Sequence, residues 1–176
     1  MDRLTEIRNS WPEGIKDLIS KLDPELLAKL PTTYLDSLDD KDRVICFRVT
    51  LLCYYATACM KLQIPHEMQL RAILADQHGK GYLVAAGTGS GKTLPIAVNI
   101  LLEDPVKCLT TLTISPLKCL QTTHEDEFNN VYGIPTVVIN EDTPWDEAWW
   151  NVSHPISFLQ LSLPHVRNTD RGTSMT

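Results

Sequence analysis

The residues with the clearest chemical potential form a glycine-rich run near the middle of the chain, Gly87-Thr-Gly-Ser-Gly-Lys-Thr93. Glycines at this spacing adopt positive φ and leave backbone N–H groups free to converge on phosphate oxygens. Lys92 supplies a cation for the β- and γ-phosphates of a nucleotide, and the Thr93 hydroxyl is a ligand for Mg²⁺. The run therefore predicts binding of ATP or a related nucleotide together with Mg²⁺.

The flanking sequence supplies the elements that such a loop needs. Tyr82–Ala86 is a short apolar run that predicts a buried strand, and Thr93–Leu102 predicts a helix whose positive dipole end faces the phosphates. The strict pattern GxxxxGK[ST] has glycine where this chain has Ala86, so a chance glycine-rich turn is the alternative. The strand and the helix favour nucleotide binding. The predicted nucleotide-contacting residues of the loop are Ala86, Gly87, Thr88, Gly89, Ser90, Gly91, Lys92 and Thr93.

Further strands and helices alternate after the loop. Leu109–Ser115 is rich in β-branched residues and predicts a second strand, and Thr136–Ile139 predicts a third. Leu117–Val131 predicts a helix between them. Strands that alternate with helices are typical of an α/β fold with a parallel sheet and right-handed crossovers.

The first sixty residues predict helices. One apolar stripe at helical spacing precedes Asp23-Pro24, which is typical of an N-cap with proline in the first turn, and Pro31 ends that short helix. A third helix is predicted from Asp39 or Asp40. We interpret residues 1–62 as a helical extension packed on the next domain rather than as an independent functional unit. The two predicted stripes are Ile15, Leu18, Ile19 and Leu22, and Val44, Phe47, Leu51, Tyr54 and Ala58.

Composition bounds the class of protein. The 176 residues are enough for one domain with a core, and 43% hydrophobic and 22% charged residues are ordinary for a soluble globular protein. A net charge of -6 leaves any nucleic-acid contact to a local basic groove. Five cysteines without a CxxC pair favour a reducing compartment over disulfides or zinc. No signal peptide is apparent and the apolar region Val49–Met60 is interrupted, so we expect an intracellular protein without a membrane partner.

The loop and two neighbouring segments resemble superfamily 2 helicases, the DEAD/DEAH-box and RecQ-like enzymes. Ala86-x-Thr-Gly-x-Gly-Lys-Thr93 is similar to their motif I, including the alanine. Ile64–Ile73 resembles the Q motif, or motif 0 of RecQ-like helicases, whose glutamine reads the adenine edge. The resemblance assigns this contact to Gln69, because its amide offers a donor and an acceptor. An exposed glutamine at a helix start is the alternative.

The segment Ser115, Pro116, Leu117 and Lys118 resembles motif Ia of the same family, which contacts the backbone of the bound strand. A plain strand-to-helix turn with proline at the first helical position is the alternative. The resemblance implies a partial RecA-like lobe at residues 63–160, with ATP and Mg²⁺ as cofactors. It also implies single-stranded or partly duplex nucleic acid as partner, DNA favoured over RNA, and a nuclear location. Oligomeric state is left open.

A helicase ATPase also needs an acidic pair after a strand. Asp146-Glu147 is rejected for this role, because Asp142-Thr-Pro-Trp145 rather than an apolar strand precedes it. Glu141-Asp142 has the reversed order, and the carboxylates at 125–127 predict a solvated helix face. Residues 161–176 predict a disordered tail.

Because the acidic pair is missing, we expect a truncated, ATP-binding part of a helicase. The full-length parent would hydrolyse ATP and unwind DNA 3′–5′, and the isolated chain would be inactive. The alternative is a non-catalytic nucleotide-binding regulatory or interaction protein. A small-molecule kinase is disfavoured by Ala86 and by the turn at Ser115-Pro116.

Overall fold

The computed structural model describes residues 3–56, 64–103, 110–115, 118–143 and 158–161. Within these ranges no helix is both long and apolar enough to cross a bilayer. The helix that ends at Asp126 continues as a short π-helical segment, Glu127–Val131. The elements in chain order are α1 Arg3–Asn9, α2 Pro12–Ser20, α3 Pro24–Leu27, α4 Thr32–Asp36, α5 Asp40–Ala56, α6 Glu67–Gln77, α7 Thr93–Leu102, β1 Thr111–Ile114, α8 Lys118–Asp126, β2 Thr136–Ile139 and β3 Phe158–Leu161.

Helices α1–α5, the helical extension (residues 3–56), include the three helices that the sequence predicts, although the short helix α3 ends at Leu27, before Pro31. The apolar stripe of α2 is buried, with Ile15 fully covered. The Asp23 carboxylate caps α3 by accepting from the backbone N–H of Glu25 at 2.8 Å, and Pro24 opens its first turn. Helix α5 begins at Asp40, as predicted. Helices α1 and α4, of seven and five residues, were not predicted, because such lengths give too few positions to show a period.

Two hydrophobic cores meet along α5. The first core joins α1 and α2 to one side of α5. The second core joins α4 and α5 to α6, α7 and the π-helical segment, so residues of the helical extension and residues beside the glycine-rich loop bury each other. Its members include Tyr34, Leu35, Cys46, Val49, Cys53, Leu70, Ile73, Leu94, Ala97, Val98 and Phe128.

The described sheet has three parallel strands in the order β1-β3-β2. Phe158 of β3 is in register with Thr111 of β1 on one side and with Thr136 of β2 on the other. Strand β2 has the predicted bounds, and β1 is shorter than the predicted 109–115 at both ends. Strand β3 was missed, since its sequence shows no alternation. It also places Leu161, the first residue of the predicted disordered tail, in the sheet; the rest of that tail lies outside the described residues.

The predicted strand Tyr82–Ala86 is wrong for this structure. Its residues pair with no strand in the described ranges, and the Leu83 side chain is 95% exposed. The physical reason is that an apolar run signals burial, whereas a strand also needs a neighbouring backbone to satisfy its N–H and C=O groups. The described strands all lie later in the chain and pair with one another instead.

Candidate nucleotide-binding site

The glycine-rich loop leads directly into α7. Gly89 and Gly91 have φ of +79° and +70°, the left-handed region that favours glycine over residues with a Cβ. The backbone N–H of Leu94 donates to the Gly91 carbonyl at 3.2 Å, which closes the first turn of the helix. The unpaired N–H groups of a helix N-terminus and of left-handed loop residues favour an anion at this position.

Lys92 and Thr93 lie together at the junction of loop and helix. The Lys92 ammonium donates to the carbonyls of Ala86 and Gly87 at 2.8 and 2.7 Å, so the side chain folds back across the loop. Thr93 is the first residue of α7 and is half-buried. The loop therefore presents a cation and a hydroxyl at the same end of one helix, as the sequence predicted.

Gln69 reaches the loop from α6. Its side chain is only 2% exposed, so the exposed-glutamine alternative is wrong. The side-chain oxygen accepts from the backbone N–H of His66 at 2.8 Å, and the side-chain nitrogen donates to the Gly91 carbonyl at 3.0 Å. A Cβ on Gly91 would collide with this nitrogen, which is a second reason for glycine there. The structure thus brings together Gln69 and the loop, which lie 22 residues apart.

The donor groups of the loop fit the phosphates of a nucleoside triphosphate. The Ser90 hydroxyl is buried and has no hydrogen-bond partner in the described part of the chain, and an uncompensated polar atom of this kind is costly. A phosphate oxygen is a suitable partner for it. Together with the left-handed glycines, Lys92 and the N-terminus of α7, this hydroxyl matches the donor set that phosphate requires.

A cleft of about 630 Å³ lies between α6 and the segment before the loop. This volume is in the range of small-molecule sites. Arg71 lies on one wall, where it donates to the Glu67 carboxylate at 2.8 Å and stacks 4.4 Å from the centre of the Tyr34 ring. Sequence reasoning missed this cleft, because no motif links its two walls. They are formed by Glu67, Met68, Arg71, Ala72, Tyr82, Leu83, Val84 and Ala85.

The predicted nucleic-acid segment lies at the carboxyl end of β1. Ser115 is buried, and its carbonyl accepts from the Gln121 side chain at 3.2 Å. Gln121 in turn accepts from the Asn140 side chain, which follows β2, at 3.4 Å. Pro116, Leu117 and the side chain of Lys118 lie outside the described residues, so the predicted contact of this segment with nucleic acid stays a prediction. Gln121 itself was not predicted to join these two strand ends.

The carboxylates that sequence analysis rejected as an acidic pair lie only in part within the described residues. Glu141 and Asp142 lie in an exposed turn after β2. Asp146 and Glu147 lie outside the described residues. Across the described ranges no three His, Cys, Asp or Glu side chains form a metal-binding group. The carboxylates at 125–127 span the junction of α8 and its π-helical segment, where Asp126 is exposed and its two neighbours are half-buried.

Glycines at positive φ, followed by a lysine and a threonine at a helix N-terminus, are typical of a P-loop nucleotide-binding protein, and the parallel sheet later in the chain is typical of the α/β class. A family model described as DEAD/DEAH box helicase matches residues 66–154, half of the chain. The chain belongs to the DEAD/DEAH box helicase family, and this membership carries a RecA-like fold. No curated protein and no solved structure matches the chain.

Proposed function

We propose that this chain is the ATP-binding lobe of a RecQ-like or DEAD-type helicase that acts on DNA. The geometry of the loop is the observation that carries the proposal. Gly89 and Gly91 open the backbone for phosphate, and Lys92 lies at the same helix terminus. When Mg²⁺·ATP binds, the Lys92 ammonium would leave the carbonyls of Ala86 and Gly87 and bind phosphate oxygens instead. A hydrogen bond between an ammonium and a charged phosphate is stronger than one to a neutral carbonyl.

Thr93 and Gln69 complete the proposed nucleotide contacts. The Thr93 hydroxyl at the first position of α7 would ligate Mg²⁺. Gln69 would contact adenine with the second N–H and the second lone pair of its amide, since one of each already serves His66 and Gly91. The proposed nucleic-acid contact is the segment Ser115–Lys118. Its backbone amides would bind phosphate groups of the bound nucleic-acid strand.

A second candidate is a nucleotide-binding protein without turnover. The observation that favours it is the chemistry at the carboxyl ends of β1 and β2. There the residues that follow the strands are Ser115 and Asn140, and the Gln121 side chain joins them by donating to the Ser115 carbonyl and accepting from the Asn140 side chain. An ATPase of this family uses carboxylates after a strand to hold Mg²⁺ and to orient water.

The test is Mg²⁺·ATP binding by calorimetry, followed by ATP turnover with and without single-stranded DNA or RNA. We expect Lys92→Ala to weaken ATP binding by about tenfold or more, the equivalent of about 1.4 kcal/mol. Lys80→Ala is the matched control, because Lys80 is also exposed but lies outside the loop. Equal affinities of the two variants would contradict the proposal. Turnover that only DNA stimulates supports the DNA helicase, and binding without turnover favours the second candidate.

A further inference from the structure

The two helices that begin at the nucleotide site are held at their other ends by the helical extension. Gln69 lies in the first turn of α6 and Thr93 opens α7. At the opposite ends, His78 contacts Asp42 of α5, and the Leu101 carbonyl contacts Arg8 of α1. Helices of 11 and 10 residues separate the two sets of contacts by about 15 Å.

The contact of Arg8 with α7 addresses a general weakness of helix ends. The last four carbonyls of a helix lack partners within the helix, and they form the negative end of its dipole. The Arg8 guanidinium donates from Nε to the buried Leu101 carbonyl at 2.5 Å. Arg8 thus provides a hydrogen-bond donor and a positive charge at the C-terminal end of α7, and the N-terminal end of the same helix is the proposed phosphate site.

Helix α6 is held at two points. The Asp42 carboxylate lies 2.9 Å from the ring nitrogen of His78, the residue that caps α6. Nearer the loop, the Tyr34 ring of α4 lies 4.4 Å from the Arg71 guanidinium. Two contacts on different helices of the extension fix the axial position of α6 and its rotation, and with them the position of Gln69.

The faces between these ends are packed in one shared core. Leu70, Ile73 and Leu94 are almost completely buried, and they lie in the same cluster as Val49 and Cys53 of α5. A close-packed core transmits displacement instead of absorbing it. The family match begins at residue 66, after the helical extension, so these contacts are a feature of this chain beyond the matched segment.

We propose that the helical extension is a positioning module for the nucleotide site, acting through Arg8 on α7 and through Asp42 on α6. The inference rests on the proposed function in that the loop is taken to bind nucleotide. Arg8 and Asp42 touch no nucleotide. They set the direction of the two helix N-termini that do, and losing them lowers affinity without removing any group from the site.

The experiment uses the full chain with Arg8→Met, Asp42→Ala and the double variant. Arg3→Met and Asp40→Ala are the matched controls. They remove the same charges from the same two helices, and within the described residues Arg3 and Asp40 pair with side chains of the extension. Two quantities are measured: Mg²⁺·ATP affinity, and hydrogen exchange of the Leu70 and Leu94 amides, which form the first-turn bonds of α6 and α7. We expect the double variant to bind ATP about fivefold or more weakly and to exchange both amides faster, with Arg8→Lys retaining most of the affinity.

The outcomes separate this inference from the proposed function. The positioning role is wrong if the Arg8 and Asp42 variants melt at lower temperature but have the same ATP affinity and amide exchange as the controls. The extension would then only stabilise the fold. If the wild-type chain does not bind ATP, the proposed function fails, and exchange alone then decides the inference. Faster exchange at both helix starts supports it, and unchanged exchange overturns it.

Discussion

The buried side chain of Gln69 joins α6 to the glycine-rich loop. Its oxygen completes a capping box with His66 at the start of α6, and its nitrogen holds the Gly91 carbonyl. The Gln69 side chain is buried and both bonds are partly buried, where an unpaired polar group is destabilising. The residue therefore has a structural role in addition to its proposed contact with adenine, and substitutions at this position affect both.

We expect Gln69→Ala to lower the free energy of unfolding by about 1–3 kcal/mol, because the His66 N–H and the Gly91 carbonyl lose their partners. Chemical denaturation of the protein without nucleotide measures this loss. Gln77→Ala is the matched control on the same helix, since Gln77 is exposed and its side chain donates to the Asn99 side chain in an exposed hydrogen bond of 3.3 Å. An equal loss in both variants would contradict the structural role.

The nucleotide preference of the same variant tests the second role. An adenine contact at Gln69 predicts that Gln69→Ala lowers affinity for ATP more than affinity for GTP, because the N6 and N7 atoms of adenine offer the amide one donor and one acceptor, whereas the same edge of guanine offers two acceptors. If affinities for ATP, GTP and tripolyphosphate all fall by the same factor, Gln69 acts only through Gly91 and the adenine contact is wrong.

At the scale of elements, the sequence predicts those whose own residues carry a complete local signal. Helix α7 and strand β2 have the predicted bounds, and α5 begins at one of the two predicted residues. In α7 a helix-compatible apolar stretch follows the glycines, and in β2 four apolar or β-branched residues lie between a proline and polar residues. The loop of the candidate site was predicted for the same reason, since its residue types and spacing are both local.

The elements that escaped prediction depend on partners distant in the chain. Strand β3 has no alternation, and its place is fixed by pairing with β1 and β2 on both sides. The run Tyr82–Ala86 has a strand-like composition, yet no described strand lies beside it. The bond from Gln69 to Gly91 and the contacts of Arg8 and Asp42 are likewise long-range, and a single sequence gives no signal for such pairs.

Strand β2 is fastened to the π-helical segment by one side chain. The Asn129 oxygen accepts from the backbone N–H of Thr136 at 3.0 Å, and its nitrogen donates to the Thr136 carbonyl at 3.1 Å. This pair of bonds supplies both main-chain groups at the start of the strand with partners. It also closes the turn around Gly133, which has φ of +63°.

We expect Asn129→Ala to destabilise the protein by about 1–2 kcal/mol, the net value of two hydrogen bonds to buried backbone groups. Denaturant unfolding measures the change, and Asn130→Ala is the control because Asn130 is the exposed neighbour in the same segment. At neutral pH the ionised side chain of Asn129→Asp keeps the acceptor for the Thr136 N–H and loses the donor for the Thr136 carbonyl, so we expect an intermediate loss of stability. Equal stabilities of the Asn129→Ala and Asn130→Ala variants would show that the pair contributes nothing measurable.

At the scale of the whole molecule, α5 joins the helical extension to the nucleotide-binding part. One side of it faces α1 and α2, and another faces α6 and α7. Two thiols, Cys46 and Cys53, lie on this helix and are 1% and 2% exposed. Burial raises the pKa of Cys46 from 9.0 to about 12, with a smaller contribution from Asp42, and burial raises the pKa of Cys53 from 9.0 to about 12.

These shifts predict loss of stability in alkali. The unfolded chain releases the thiol protons above about pH 9, whereas the folded chain keeps them up to about pH 12, so the free energy of unfolding falls as pH rises through this window. Burial also raises the pKa of Tyr132, which adds a contribution of the same sign.

We expect melting temperatures to fall steadily above pH 9, and the melting temperature of a Cys46→Ala/Cys53→Ala variant to fall less per pH unit than that of the wild type. Because deleting the thiols also costs packing at every pH, the slopes rather than the absolute values are compared. Parallel curves for the two proteins would contradict this prediction, because they would mean that the thiols lose their protons at the same pH in the folded and the unfolded chain.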